Sequence, residues 1–248
     1  MLNIPYFYRK LFCRKGYGVH SPFVFDLITN VIEDKSVYYS YNDISLIRKQ
    51  LTQNNKFIHY REKRITVKKA LQRYGISKKE GEFLFRLSNH YKPRTILAIG
   101  SSFGLSSLYL SRYDSTVHCI TLECEPGFAK IATHYLKKEA NPSHHIRTGP
   151  YREIESETLL LLSRIDCIFI DKNVGPDDLG IIFNQFLPVI HEDTFWVLAG
   201  IRSSSEKYHF WEKICQHPQV TVAVDMFQMG LLFFQSKLHK RIYKTIIP

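Results

Sequence analysis

This 248-residue chain has few cysteines and no Cys-x-x-Cys pair; its five, Cys13, Cys119, Cys124, Cys167 and Cys215, form an odd set. That excludes a paired disulfide framework and a zinc-ribbon site, and it predicts reduced thiols in a cytoplasmic protein. No apolar run approaches the roughly 20 residues of a membrane span. The opening MLNIPYFYRKLFCRK also lacks a continuous apolar core of signal-peptide length. The expectation is a soluble, cytoplasmic protein without a membrane span. No Gly/Ser-rich or Pro-rich linker divides the chain, so any extension should pack closely on the main body. Acids are scarce in the first third: residues 1–94 hold 7 Asp+Glu against 19 Lys+Arg, while residues 95–248 hold 16 against 15. The whole formal charge of +11 therefore lies at the N-terminal side. Such an asymmetry fits an anionic partner or acidic substrate, or else a solvated face that serves solubility. Nucleic acid is one such partner, but no recognition motif in the sequence supports it.

What is present centres on TILAIGSSFGLSSLYLSRYDSTVHCITLE, residues 95–123. Thr95 to Ile99 is a short β-type run and Gly100 to Gly104 a turn of mostly small residues. Leu105, Leu108 and Tyr109 then share one helical face, and His118 to Leu122 returns to strand. Glu123 stands at the end of that strand, placed to accept hydrogen bonds from two vicinal hydroxyls. A strand, glycine turn, helix, strand and terminal acid in this order make one βαβ unit with room for a nucleoside-type ligand. The turn lacks the Gly-x-Gly-x-x-Gly order of a dinucleotide site, and Gly-x-x-x-Gly alone also occurs in turns that bind nothing.

Residues 1–94 read as helical. Ser21-Pro22 is a helix start, and Asp43 to Leu51 predicts a second helix ended by Asn54-Asn55. Lys56 to Lys79 carries nine Lys+Arg against Glu62 alone. Within it Val67, Ala70, Leu71 and Tyr74 follow helical spacing, leaving Lys68, Lys69 and Arg73 outside. Ser77 and Glu80 form a capping box for a helix to about Tyr91, which places a boundary near residue 76. Beyond Glu123, helices are predicted from Pro126, over Tyr151 to Ser163, after an Asp177-Asp178 cap, and over Ser205 to Cys215. Strands are predicted at His145 to Thr148, Ile165 to Ile170 ending at Asp171, Thr194 to Leu198, Val220 to Asp225 and Met229 to Gln235. The last two are joined too tightly for a parallel crossover and should form an antiparallel hairpin.

This alternation, the glycine turn, the acid after the second strand and the closing hairpin resemble the class I S-adenosylmethionine-dependent methyltransferases over roughly residues 77–236. The stretches GYGVHSPFVFDLI, ILAIGSSFGLSSLYLS, FIDKN and IRSSSEKYHFWEKICQHPQVTVAVDMFQMGLLFF are similar to a bacterial branch of small O-methyltransferase-like proteins. The resemblance implies a Rossmann-like α/β fold, a mostly parallel seven-stranded sheet over 77–248 with a basic helical extension at 1–76. It also implies S-adenosyl-L-methionine as cofactor and a small-molecule or acidic acceptor. Carried over, Gly100, Ser101, Ser102, Phe103 and Gly104 lie against the cofactor. Glu123 holds its ribose, Cys124 and Gly149 flank it, and Asp171 faces the transferred methyl as candidate catalytic base. A cap of the local loop is the alternative role for Asp171.

The pattern is departed from at Ala98, where an acid usually precedes the turn, at Ser102 in place of a glycine, and at Pro150. Ala199-Gly200 stand where cation-dependent relatives carry metal-binding acids, and Arg202 replaces a nearby histidine. One carboxylate makes a poor divalent site, so no metal is expected. His20 and His59 are further base candidates. A catalytically inactive relative that binds a partner through its basic face is the rival to the enzyme.

Overall fold

The computed structural model of the chain describes residues 6–61, 63–100, 103–139, 144–151 and 164–248. The elements in order are α1 (Tyr6–Phe12), α2 (Pro22–Leu27, continued by a π turn Ile28–Ile32), α3 (Tyr39–Gln53), β1 (Phe57–Tyr60), β2 (Lys63–Thr66), α4 (Val67–Tyr74) and α5 (Lys78–Tyr91). The sheet region follows as β3 (Thr95–Ile99), α6 (Leu105–Ser111), β4 (His118–Glu123), α7 (Pro126–Glu139), β5 (His144–Thr148) and β6 (Cys167–Ile170). It closes with α8 (Pro176–Phe186), β7 (Phe195–Ala199), α9 (Ser205–Cys215), β8 (Val222–Asp225), β9 (Met229–Phe233) and β10 (Arg241–Lys244). The predicted helix over Tyr151 to Ser163 falls almost wholly outside the described residues.

Among the described residues the main sheet has eight strands in the order β10-β8-β9-β7-β6-β3-β4-β5. Of these β9 alone runs antiparallel, against both β7 and β8, which is the expected hairpin. The eighth strand is an addition to the seven predicted: Arg241–Lys244 pairs in parallel with Val222–Asp225. Its sequence RIYK has two apolar residues between basic ones, as a protected edge strand does, and so reads as a polar tail.

Strand alternation divides the core into two layers. Ile96 and Ala98 of β3 pack into one apolar cluster with Phe83, Leu84 and Leu87 of α5, whereas Leu97 and Ile99 pack into the other with Ile182 and Phe186 of α8. A central parallel strand buried on both faces is apolar throughout, which is why TILAI shows no polar alternation. The N-terminal helix starts are as the sequence indicates. Ser21 accepts from the Val24 N–H, and Ser77 and Glu80 form the complete reciprocal box. The Asp177-Asp178 cap is corrected: Gly175 is the N-cap of α8 and both acids lie in its first turn.

The all-helical reading of residues 1–94 is also corrected. Phe57–Tyr60 and Lys63–Thr66 form an antiparallel hairpin, and the basic helix is confined to Val67–Tyr74. Only Tyr60 of β1 is buried, so the apolar and polar contrast that betrays a strand is missing. In α4 the reading holds, with Val67, Ala70 and Leu71 buried and Lys68, Lys69 and Arg73 exposed.

Candidate active site

The described part of the glycine turn has three left-handed residues, Gly100 at φ +69°, Phe103 at φ +63° and Gly104 at φ +76°, a conformation that glycine adopts without strain. The Gly100 N–H donates to Leu122 O at 2.7 Å, which ties the turn to the neighbouring strand. A Cβ on Gly100 would stand 2.8 Å from Val174 Cγ2, 2.9 Å from Tyr151 Oη and 3.4 Å from Asp171 Cβ. The ends of β3 and β6 and the chain after β5 thus converge on one point above the turn. Phe103 is buried against Phe128 with ring centroids 4.6 Å apart, so it anchors the turn from beneath. Ser101 and Ser102 lie outside the described residues.

Glu123 ends β4 and is 3% exposed. Its Oε1 accepts from the Glu125 N–H at 3.2 Å. Beside it the half-buried Cys124 thiol is pushed up by burial, partly offset by a hydrogen bond with Tyr151. Burial, then the charge of Glu123, drives the Tyr151 phenol far above its ordinary value, so it remains a protonated donor. The Gly149 N–H reaches Glu123 O at 3.2 Å and holds this segment to the strand tip.

Asp171 follows β6 and is 2% exposed. Its Oδ1 accepts both the Asn173 N–H at 2.9 Å and Asn173 Nδ2–H at 2.6 Å. Burial raises its carboxyl to about 7 against the opposing pull of Asn173, Lys172 and Lys207. A carboxyl that titrates near neutrality at a strand tip has the protonation range of a general base. The loop-cap role is also present, since Asp171 holds Asn173.

The N-terminal segment closes over this point. Lys172 Nζ donates to Gly75 O at 2.8 Å and Asn173 Nδ2 to Tyr74 O at 2.7 Å. From the hairpin, Arg61 Nη2 donates to Asn173 O at 3.4 Å, and a Cβ on Gly127 would stand 2.5 Å from His59 O. Tyr60 stacks on Phe128 at 4.8 Å. A cavity of about 380 Å³ opens beside the strand tips, lined by Ser77, Lys172, Gly200, Arg202 and Phe227 among others.

The structure brings together Gly100, Glu123, Cys124 and Asp171, with Gly149 at the edge. His59 contributes its carbonyl to the packing on Gly127. Arg202 belongs to a separate buried ion cluster with Asp225. Ala199 and Gly200 offer no side-chain oxygen, and among the described residues no group of three or more His, Cys, Asp and Glu is placed to hold a metal ion. No helix among them is long and apolar enough to cross a membrane. Sequence reasoning missed Tyr151, Arg61 and Lys207. Tyr151 stands directly after the flagged Gly149-Pro150, which is a usable signal. Lys207 has none, because a lysine in EKYHFWEKIC reads as an exposed helix residue.

No family model matches the chain, and no curated protein does. Solved structures match in fold. An O-methyltransferase from Bacillus cereus in complex with SAH is similar at TM-score 0.56 and 19% identity, over 85% of this chain and 96% of that one. The O-methyltransferase TomG from Streptomyces achromogenes, in complex with SAM and involved in tomaymycin synthesis, gives TM-score 0.55 and 16% identity, over 81% and 92%. The SAH-bound methyltransferase PaMTH1 from Podospora anserina gives 0.56 and 14%, over 82% and 100%. With its mostly parallel sheet, single antiparallel strand and glycine turn after the first long strand, the chain has the Rossmann-like α/β fold of these methyltransferases.

Proposed function

We propose that this chain is an S-adenosylmethionine-dependent methyltransferase that needs no divalent metal and acts on a small or acidic acceptor. The observation that carries the reading is the convergence above Gly100. Bare backbone, a strand-tip carboxylate at Glu123 and a buried carboxyl at Asp171 meet around Tyr151. These residues fit the cofactor chemically: Glu123 suits a ribose diol, and Gly100 ends its strand without a side chain. Bound there, the cofactor supplies an electrophilic methyl group on a sulfonium. Asp171 then has the position and the titration range to take a proton from the acceptor. Lys172, Arg61 and Lys207 make the surroundings cationic and favour an acidic acceptor. The description of the neighbours as O-methyltransferases favours an oxygen nucleophile.

Glu123→Ala tests the cofactor assignment. Losing a hydrogen-bonded carboxylate costs about 1–3 kcal/mol, so calorimetric affinity for S-adenosylhomocysteine should fall tenfold or more with the melting temperature little changed. Undiminished affinity would remove Glu123 from the site. Turnover is expected to survive EDTA, because Ala199 and Gly200 leave Asp171 without a partner ligand. Loss on chelation and recovery with magnesium would show the metal assignment to be wrong.

The exposed Lys68, Lys69 and Arg73 of α4 favour a second reading, a non-catalytic protein that binds an anionic partner. A chain of that kind methylates no acceptor even with the cofactor bound, and its hold on an anionic partner falls steeply as salt rises.

A further inference from the structure

We propose that Lys207 is a catalytic residue of this site: its ammonium holds the acceptor oxygen while Asp171 takes the acceptor's proton. The inference rests on the methyl-transfer reading above.

Lys207 lies in the first turn of α9, where Ser204 Oγ accepts its backbone N–H at 3.3 Å. A cation is disfavoured at that end of a helix dipole, and lysine is among the residues most rarely buried. Lys207 is nevertheless only 7% exposed. Its side chain folds back from the helix to donate to the carbonyl of Lys172, next to Asp171. An ammonium has three donors. That carbonyl is the one acceptor it finds among the described residues. Asp171 shows the complementary deficit. Both Asn173 bonds go to Oδ1, and Oδ2 accepts none among the described residues. A buried amine with spare donors and a buried carboxylate with a spare acceptor match the two faces of a hydroxyl group. The neighbouring tip at Ala199-Gly200 brings no side-chain oxygen, and of the cations around Asp171 Lys207 is the buried one.

The surrounding charges agree with this arrangement. Burial lowers the amine to about 8, and Asp171 opposes that shift while Arg61 adds to it. Facing the pair are Lys172 and Asn173 from the end of β6, Arg61 from the hairpin, and Tyr151, which has Glu123 and Cys124 beside it. In the transfer step the acceptor O–H proton moves to Asp171. The oxygen forms its bond to the methyl carbon, and the carbon–sulfur bond breaks with its electron pair remaining on sulfur. Lys207 keeps its protons and offsets charge that develops on the oxygen.

The test uses the full chain labelled with ¹³Cε-lysine, with Lys207→Gln to assign the resonance. Lys207 should titrate clearly below the other lysines, and Asp171→Asn should lower it further, because an opposite charge has been removed. Titration with the surface lysines, or indifference to Asp171→Asn, would overturn the pairing. The second arm adds 4-nitrocatechol to the S-adenosylhomocysteine complex at pH 6 and reads the phenolate absorbance band. Wild type should bind the phenolate, Lys207→Gln at least tenfold more weakly, and Lys207→Arg in between, all three with equal homocysteine-product affinity. An equal band in Lys207→Gln, or none in wild type, would overturn the oxyanion-holding role. Absence of S-adenosylhomocysteine binding in wild type would strike the methyltransferase reading itself, and the lysine titration would still decide the pairing.

Discussion

Asp225→Ala is expected to destabilise the protein by about 3–5 kcal/mol, the usual cost of removing one partner from a buried ion pair. Asp225 is 2% exposed, and its carboxylate is shared by two guanidinium groups. Arg9 approaches at 2.7 and 3.0 Å and Arg202 at 2.8 and 2.6 Å. Arg9 is fully buried and also donates to Asp225 O, while the neighbouring Thr245 hydroxyl donates to Cys13 O. The cluster joins the N-terminal helix to the ends of β8 and β10. Without the carboxylate two cations are left in the interior, whereas Arg9→Met removes a charge along with its partner's burden and should cost less. Burial alone would raise the Asp225 carboxyl, but hydrogen bonds and charge from Arg202 and Arg9 outweigh it and hold the value at about 2. A depressed carboxyl contributes stability above its unfolded value near 4 and loses it as pH falls toward 2. Urea unfolding at several pH values checks this: wild type should weaken across that window and Asp225→Ala should lose much of the dependence.

Asp171→Asn is expected to move stability and activity in opposite directions. Its raised carboxyl, about 7, gives the sign. Stability from the protonated group is fully present below the unfolded value near 4 and is lost as pH rises through about 7, because the unfolded chain ionises freely and the buried site does not. Asparagine stays neutral and keeps an oxygen for the Asn173 N–H. The variant should therefore be more stable than wild type at pH 8, by roughly 2 kcal/mol or more. Removing the base should lower turnover about 10²–10⁴-fold. A structural cap alone would give the reverse, a loss of stability with turnover retained. Thermal melts at pH 5 and pH 8 beside a turnover assay separate the two.

The parts of the fold that could be read in advance are those where one residue type has one physical use. Gly100 and Gly104 are needed at positive φ, Ser77 with Glu80 satisfies a helix end, and the apolar run at β3 can only be a strand buried on both faces. Glu123 and Asp171 were legible as acids ending apolar strands, although each also caps its local loop, through the Glu125 N–H and through Asn173. The hairpin at 57–66 was hidden because it is half exposed and basic, so burial leaves little imprint on its sequence. Strand β10 was hidden for the same reason at the sheet edge. The ion cluster of Arg9, Arg202 and Asp225 joins residues more than two hundred positions apart, which no local pattern reveals. Lys207 is the extreme case: its helix position says exposed, and only the fold back to the Lys172 carbonyl makes it part of the site.

The central claim is that the strand tips at Gly100, Glu123 and Asp171 form a cofactor site. Isothermal titration of S-adenosylhomocysteine into the wild-type chain tests it most directly. A saturable one-site isotherm is the expected result, and a flat trace up to roughly 1 mM, where about 4 kcal/mol of binding energy would already register, would contradict it.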